Sequence, residues 1–158
     1  MSFQLSPEGL EKVKKELKRY EAVESAIIPA LYIAQNENKG WISEDVIHHL
    51  SDVMSLPESR ITEVFKFYSM FNQKPVGNHH VQVCTTLSCA INGGRELADH
   101  LCRELKVGYN QVTDDGRFSV SRVECLGSCG TAPMMQINET YHENLTPESA
   151  MHILRGLK

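Results

Sequence analysis

The sequence has no apolar run longer than the nine residues Ala26 to Ala34, and Pro29 interrupts that one. A bilayer-spanning helix needs about 20 apolar residues, so no membrane span is expected. An excess of positive charge is also missing: 16 Lys and Arg stand against 20 Asp and Glu, for a formal net charge of −4. Without a basic field to draw it onto nucleic acid or anionic lipid, the chain is expected to bind neither. Met1 to Pro7 lacks the charged-then-apolar order of a secretory signal. There is no Gly-x-Gly-x-x-Gly after a strand and no phosphate loop, so the residues offer no nucleotide cradle. Cys-x-x-Cys is absent too, which disfavours thioredoxin-type disulfide exchange.

Five cysteines are present. Without an export signal they suggest a reducing compartment, where paired cysteines bind metal or do redox work more often than they form structural disulfides. None lies in residues 1–75, whose apolar residues recur at helical spacing. Ser6-Pro7-Glu8 caps and opens a helix with Leu10, Val13, Leu17 and Tyr20 along one face. A second helix is read from about Glu24 to Asn36. A third is capped by Ser43 and stops near Leu56-Pro57, and a fourth runs from Pro57 to about Phe71. Residues 1–75 are therefore expected to form a helical bundle.

Lys74 to Asn78 is turn-rich and sets the expected boundary, with a second domain over 76–158. There the pattern predicts a strand His79–Cys84, an amphipathic helix Gly94–Leu105 and a strand Phe118–Val123 after the Asp114-Asp115-Gly116-Arg117 turn. A neighbouring strand Met134–Ile137 and a helix opened by Thr146-Pro147-Glu148 follow. This order closes a small sheet under two helices, the outline of a thioredoxin-like domain. The fold class expected is α/β (α+β): a helical bundle followed by a thioredoxin-like domain with a small mixed sheet. Pro133, just before a strand, would suit the cis-proline of such folds, although a trans bond is the commoner state of an Ala-Pro step.

Four cysteines form two pairs, Cys84-Thr-Thr-Leu-Ser-Cys89 and Cys125-Leu-Gly-Ser-Cys129, each following a predicted strand. Four thiolates suit a 2Fe-2S cluster. They also suit structural zinc, although zinc ribbons more commonly use spacers of about two to four residues at hairpin knuckles, so spacing favours iron–sulfur and leaves zinc open. A plant-type ferredoxin would need a further cysteine where Asn92 stands. Gly127 and Gly130 allow a tight second loop that brings N–H groups to the sulfurs, with Thr85, Thr86, Ser88 and Ser128 adding hydroxyls. Neither loop contains Lys or Arg, so backbone dipoles must balance the charge of a cluster.

Cys-x4-Cys, then Glu124-Cys125-Leu126-Gly127-Ser128-Cys129-Gly130 with Ala132-Pro133 close behind, resembles the thioredoxin-like 2Fe-2S subunit of respiratory complex I. The stretches Gln35 to Ile42 and Phe67 to Phe71 resemble that family's N-terminal region. One departure lies in the first loop, where the family often places Gly after the threonine and His or another residue after the second cysteine; this chain has Thr86 and Ala90. The resemblance implies a subunit of NADH:quinone oxidoreductase with one 2Fe-2S cluster on Cys84, Cys89, Cys125 and Cys129. It also implies that FMN and NADH sit on a partner subunit, from whose flavin this cluster accepts single electrons beside the main path to quinone. No substrate-binding catalytic site is expected on this chain. The place implied is peripheral to the membrane, on its cytoplasmic side, among the other peripheral-arm subunits, with a homodimer conceivable for the isolated chain. The diaphorase subunit of an NAD-linked hydrogenase or formate dehydrogenase shares the module. A zinc-stabilised interaction domain is the alternative of a different class.

The remaining candidates have plainer readings. Cys102 is expected to be a small helical hydrophobe, and Trp41 a core anchor. His79 and His80 are expected at the surface of a strand end, and His48 and His49 on a solvated helix face; His100, His142 and His152 receive no role. Phe65, Phe67, Tyr68, Met70 and Phe71 cover more than one face, so some are expected to meet a partner.

Overall fold

Residues 3–157 are described by the structure, a computed structural model. Met1 and Ser2, part of the stretch read for a signal, and Lys158, the end of the second expected domain, lie outside them. The chain forms two compact units, Met1–Pro75 and Val76–Lys158. No helix among the described residues is long and apolar enough to cross a membrane.

The first unit is helical. Helix α1, Pro7–Arg19, starts where Ser6 Oγ accepts a hydrogen bond from the Gly9 amide at 3.0 Å and Pro7 supplies a preset φ. Helix α2, Ile27–Glu37, begins later than its periodicity suggests, because Val23–Ala26 winds into a tighter 3-10 turn without a side-chain cap. Helix α3, Glu44–Met54, is capped by Ser43. Helix α4, Glu58–Phe67, stops short of Phe71: Tyr68 is extended, and the chain turns so that Phe71 enters the core. Val13, Leu31, Val46, Leu50 and Ile61 meet in that core, and each fully buried aliphatic side chain contributes about 1.5–3 kcal/mol.

Buried Gln35 ties two distant stretches together. Its Nε2 donates to the Met70 carbonyl at 3.3 Å and its Oε1 accepts from the Asn72 amide at 2.7 Å, while Asn72 Nδ2 donates to the Gly40 carbonyl at 2.8 Å. The two segments that carry the resemblance in this half are thus one hydrogen-bonded unit. Trp41, expected in the core, is only half-buried, and its neighbour Ile42 enters instead. His48 is solvent-exposed, 2.8 Å from Glu58. His49, expected on the same solvated face, is half-buried and accepts from the Leu5 amide at 3.2 Å.

The second unit is a four-stranded mixed sheet in the order β2-β1-β3-β4. Strands β1, His79–Cys84, and β2, Phe118–Val123, are parallel, joined by helices α5, Leu87–Ile91, and α6, Gly94–Leu105. Strands β3, Met135–Ile137, and β4, Thr140–His142, run antiparallel, and helix α7, Pro147–Gly156, closes the unit behind a Thr146 capping box. Val81, Val83, Phe118, Val120, Met135 and Ile137 pack with Leu97 and Leu101 of α6 and Met151 and Leu154 of α7.

Several local expectations are corrected. The Asp114–Arg117 turn closes only a single antiparallel bridge, Val112 to Ser119, and the main partner of β2 is β1. Strand β3 is not a neighbour of β2, because β1 lies between them. The Ala132-Pro133 bond is cis. His80 is buried rather than surface-exposed, its Nδ1 2.8 Å from Ser119 Oγ and its Nε2 3.5 Å from Ser121 Oγ. Without a charged partner, burial pushes its imidazole down to about 4. Cys102 is half-buried against the core, and burial raises its thiol above the ordinary value.

Candidate metal centre

Parallel pairing decides where the cysteines go. Cys84 ends β1 directly opposite Val123, the end of β2, so both strands deliver their chains at the same edge of the sheet. The Thr85 amide bonds the Val123 carbonyl at 3.1 Å, and the Cys84 amide bonds the Met134 carbonyl at 3.3 Å. The first loop therefore leaves, the second arrives, and β3 begins at one place.

The first pair is internal. Cys84 at the strand end and Cys89 inside α5 are both buried, packed with Met134 and with half-buried Leu126 and Ala132. Gly94 makes this possible: a Cβ there would lie 2.7 Å from the Cys84 carbonyl oxygen and 2.8 Å from that of Cys89. Only glycine lets the start of α6 press against both cysteine backbones.

The second pair lies at the surface. Cys125 and Cys129 are exposed; Gly127 has φ +79°, and its amide donates to Cys125 Sγ at 3.3 Å. Residues after β3 hold this loop. The Tyr141 hydroxyl donates to the Leu126 carbonyl at 2.8 Å. The Glu143 carboxylate accepts from the Ser128 hydroxyl, and from the Thr131 hydroxyl at 2.6 Å.

The two loops share a network of sulfur contacts. Burial acts to push the Cys84 thiol up, but the Thr86 hydroxyl 3.1 Å away, the amides of Leu126 and Thr86 and the Cys89 thiol outweigh it, leaving Cys84 below its ordinary value. Burial, then the hydrogen bond and charge of Cys84, push Cys89 up to about 11, against the Met134 amide. The pair titrates as a unit in which Cys84 gives up its proton first. Cys129 lies close enough to Cys89 for its charge to be felt there.

Of the four cysteines expected to be ligands, the structure brings Cys84 and Cys89 together and sets Cys129 near them. Cys125 bonds within its own loop. Among the described residues no three His, Cys, Asp or Glu side chains are grouped as a single-ion site. The chemistry of the donor set fits a thiolate-bound cluster nevertheless: four sulfurs, the amides of Leu126, Gly127 and Met134 aimed at them, an apolar wall, and no Lys or Arg in either loop. Gly94, Tyr141 and Glu143 were not apparent as site residues from sequence. The only local signal was Asn138 at a turn between two short apolar-polar runs.

Residues 13–158 match the family model described as thioredoxin-like [2Fe-2S] ferredoxin. The chain is 38% identical to an NADH-quinone oxidoreductase subunit of Rickettsia bellii (strain RML369-C), over 99% of this chain and 95% of that one. It is 37% identical to the mitochondrial NADH dehydrogenase [ubiquinone] flavoprotein 2 of Dictyostelium discoideum, over 99% of this chain and 64% of that one. Among solved structures it is similar in fold to an NAD+-reducing [NiFe]-hydrogenase in the H2-reduced state, with a TM-score of 0.68 and 23% identity. That match covers 82% of this chain and 23% of the hydrogenase chain.

Proposed function

Since the chain belongs to the thioredoxin-like [2Fe-2S] ferredoxin family, we propose that it is the electron-transfer subunit of an NADH:quinone oxidoreductase, with one 2Fe-2S cluster on Cys84, Cys89, Cys125 and Cys129. When bound, the cluster supplies a site that takes up and releases one electron, here from the FMN of a partner subunit that also binds NADH. The observation that carries this reading is the parallel β1–β2 register, which brings both cysteine loops to one sheet edge. We take residues 76–158 as the cluster-bearing domain and 1–75 as a separate helical one.

The chain's own residues have three tasks. Cys84 and Cys89 hold two sulfurs away from water, Cys125 and Cys129 present two at the surface, and the amides of Leu126, Gly127 and Met134 stabilise negative charge on sulfur. Leu87 and Ile91, each 76% exposed, flank Cys89 on α5, and in the helical unit Phe67 is 80% exposed. Such exposed apolar side chains suit burial by a partner subunit.

The host is read as quinone-reducing because the Rickettsia relative, named for that activity, aligns over nearly its full length, whereas the hydrogenase resemblance covers about a quarter of that chain. Zinc is displaced as a reading by the family. The expected place is the cytoplasmic side of the membrane in a peripheral arm, and the isolated chain is expected to pair with itself through the face its partner covers. Purification of the tagged chain from native membranes tests this reading. A flavoprotein with NADH dehydrogenase activity and quinone-reducing subunits should come with it; a hydrogenase or formate dehydrogenase in their place would overturn the choice of host.

A further inference from the structure

The geometry points to Tyr141 as a positioning residue that tunes the redox potential of the site through the Leu126–Gly127 peptide. This rests on the four-cysteine reading above. The Leu126 carbonyl and the Gly127 N–H belong to one amide. At its oxygen end it accepts from the Tyr141 hydroxyl at 2.8 Å; at its nitrogen end it donates to Cys125 Sγ at 3.3 Å. In a planar trans peptide the C=O and N–H point in opposite directions, so the phenol and the sulfur lie at opposite ends of one dipole. A donor on the oxygen draws electron density from the amide and strengthens its N–H donation, by roughly 10–30% per bond in such chains.

The phenol is held in register. Tyr141 lies opposite Gln136 in the β3–β4 pairing, which fixes its backbone independently of the cysteine loop. Tyr141 is 47% exposed, and its hydroxyl bond to Leu126 links it to the site. Glu143, just past β4, holds the same loop through the hydroxyls of Ser128 and Thr131. Glu143 thus helps set the backbone position of the loop, and Tyr141 polarises the peptide whose N–H faces a ligand sulfur. Hydrogen bonds to cluster sulfurs favour the reduced, more negative state.

The test uses the cluster-loaded full chain, titrated redox-potentiometrically with EPR detection. Tyr141→Phe removes the donor and is expected to shift the midpoint to more negative potential, with the melting temperature unchanged. A 3-fluorotyrosine placed at position 141 alone is a stronger donor and is expected to shift it the opposite way, which a merely structural role would not do. Midpoints that coincide with the wild-type protein, or that move in one direction for both variants, overturn the inference while leaving the four-cysteine reading intact. If Tyr141→Phe does not load, the fluorotyrosine protein decides by the sign of its shift. A wild-type protein that gives no EPR signal on reduction overturns the cysteine reading and this inference with it.

Discussion

The two cysteine loops have the same chemistry and opposite architecture. Cys84 and Cys89 lie on regular elements, the end of β1 and the short helix α5, and are buried with Met134. Cys125 lies on irregular chain and Cys129 opens a three-residue 3-10 turn, Cys129–Thr131; both are exposed, and their loop is fixed by side chains from β4 and just past it. The difference separates two jobs. The first loop is part of the fold and keeps its sulfurs where packing puts them, whereas the second is held at the surface by a few hydrogen bonds.

Three experiments break or sharpen that contrast. Replacing any of the four cysteines by serine should abolish the cluster, read as loss of bound iron and sulfide, but the metal-free proteins should differ. Cys84→Ser and Cys89→Ser bury a hydroxyl and should cost about 1–3 kcal/mol in urea unfolding. Cys125→Ser and Cys129→Ser should stay within about 0.5 kcal/mol. Equal losses at all four positions would erase the distinction.

The strand that feeds the first loop should also carry a pH dependence. His80 stands at about 4 in the folded chain and near 6.5 when unfolded, so as pH falls below 6.5 the unfolded state takes up the proton first. Its contribution to stability is complete above pH 6.5 and is lost progressively down to pH 4, a total of about 3 kcal/mol. Denaturant melts between pH 7 and 4 should show this slope, and His80→Gln should flatten it.

Two glycines compare the loops directly. Gly94→Ala forces a methyl group against the Cys84 and Cys89 carbonyls, so it should destabilise by about 1–3 kcal/mol and impair cluster loading. At Gly127 no atom beyond its chain neighbours lies within 4 Å of an added Cβ, so Gly127→Ala meets only the strain of a positive φ, about 1–2 kcal/mol, confined to the exposed loop. Thermal melts and iron content of both proteins check the pair; a larger loss at Gly127 would reverse the contrast between the loops.

Much of the fold was legible where local chemistry dictates it. Ser6-Pro7, Ser43 and Thr146-Pro147 announce helix starts, and β1, α6 and β2 occupy the residues their periodicity predicts. Elements too short to have a period were missed. Helix α5 spans five residues, beginning inside the Cys-x4-Cys loop and running two past Cys89, and β4 spans three that are strand only because β3 pairs with them. With β4 went Tyr141 and Glu143, whose partners lie 12 to 15 residues earlier. The burial of His80 is illegible locally for the same reason: its partners, Ser119 and Ser121, are 39 and 41 residues away on a strand whose parallel pairing no local pattern states. The cysteine pairs were visible as ligand candidates, but which pair is buried depends on Gly94 and Met134, and that needs the fold.

We propose that these four thiols together hold one two-iron cluster. Anaerobic purification, iron and sulfide assay, and EPR of the dithionite-reduced chain test it most directly. Two irons and two sulfides per chain are expected, with a reduced-state signal lost on substitution of any of the four cysteines. A colourless, EPR-silent protein with one zinc per chain would contradict it.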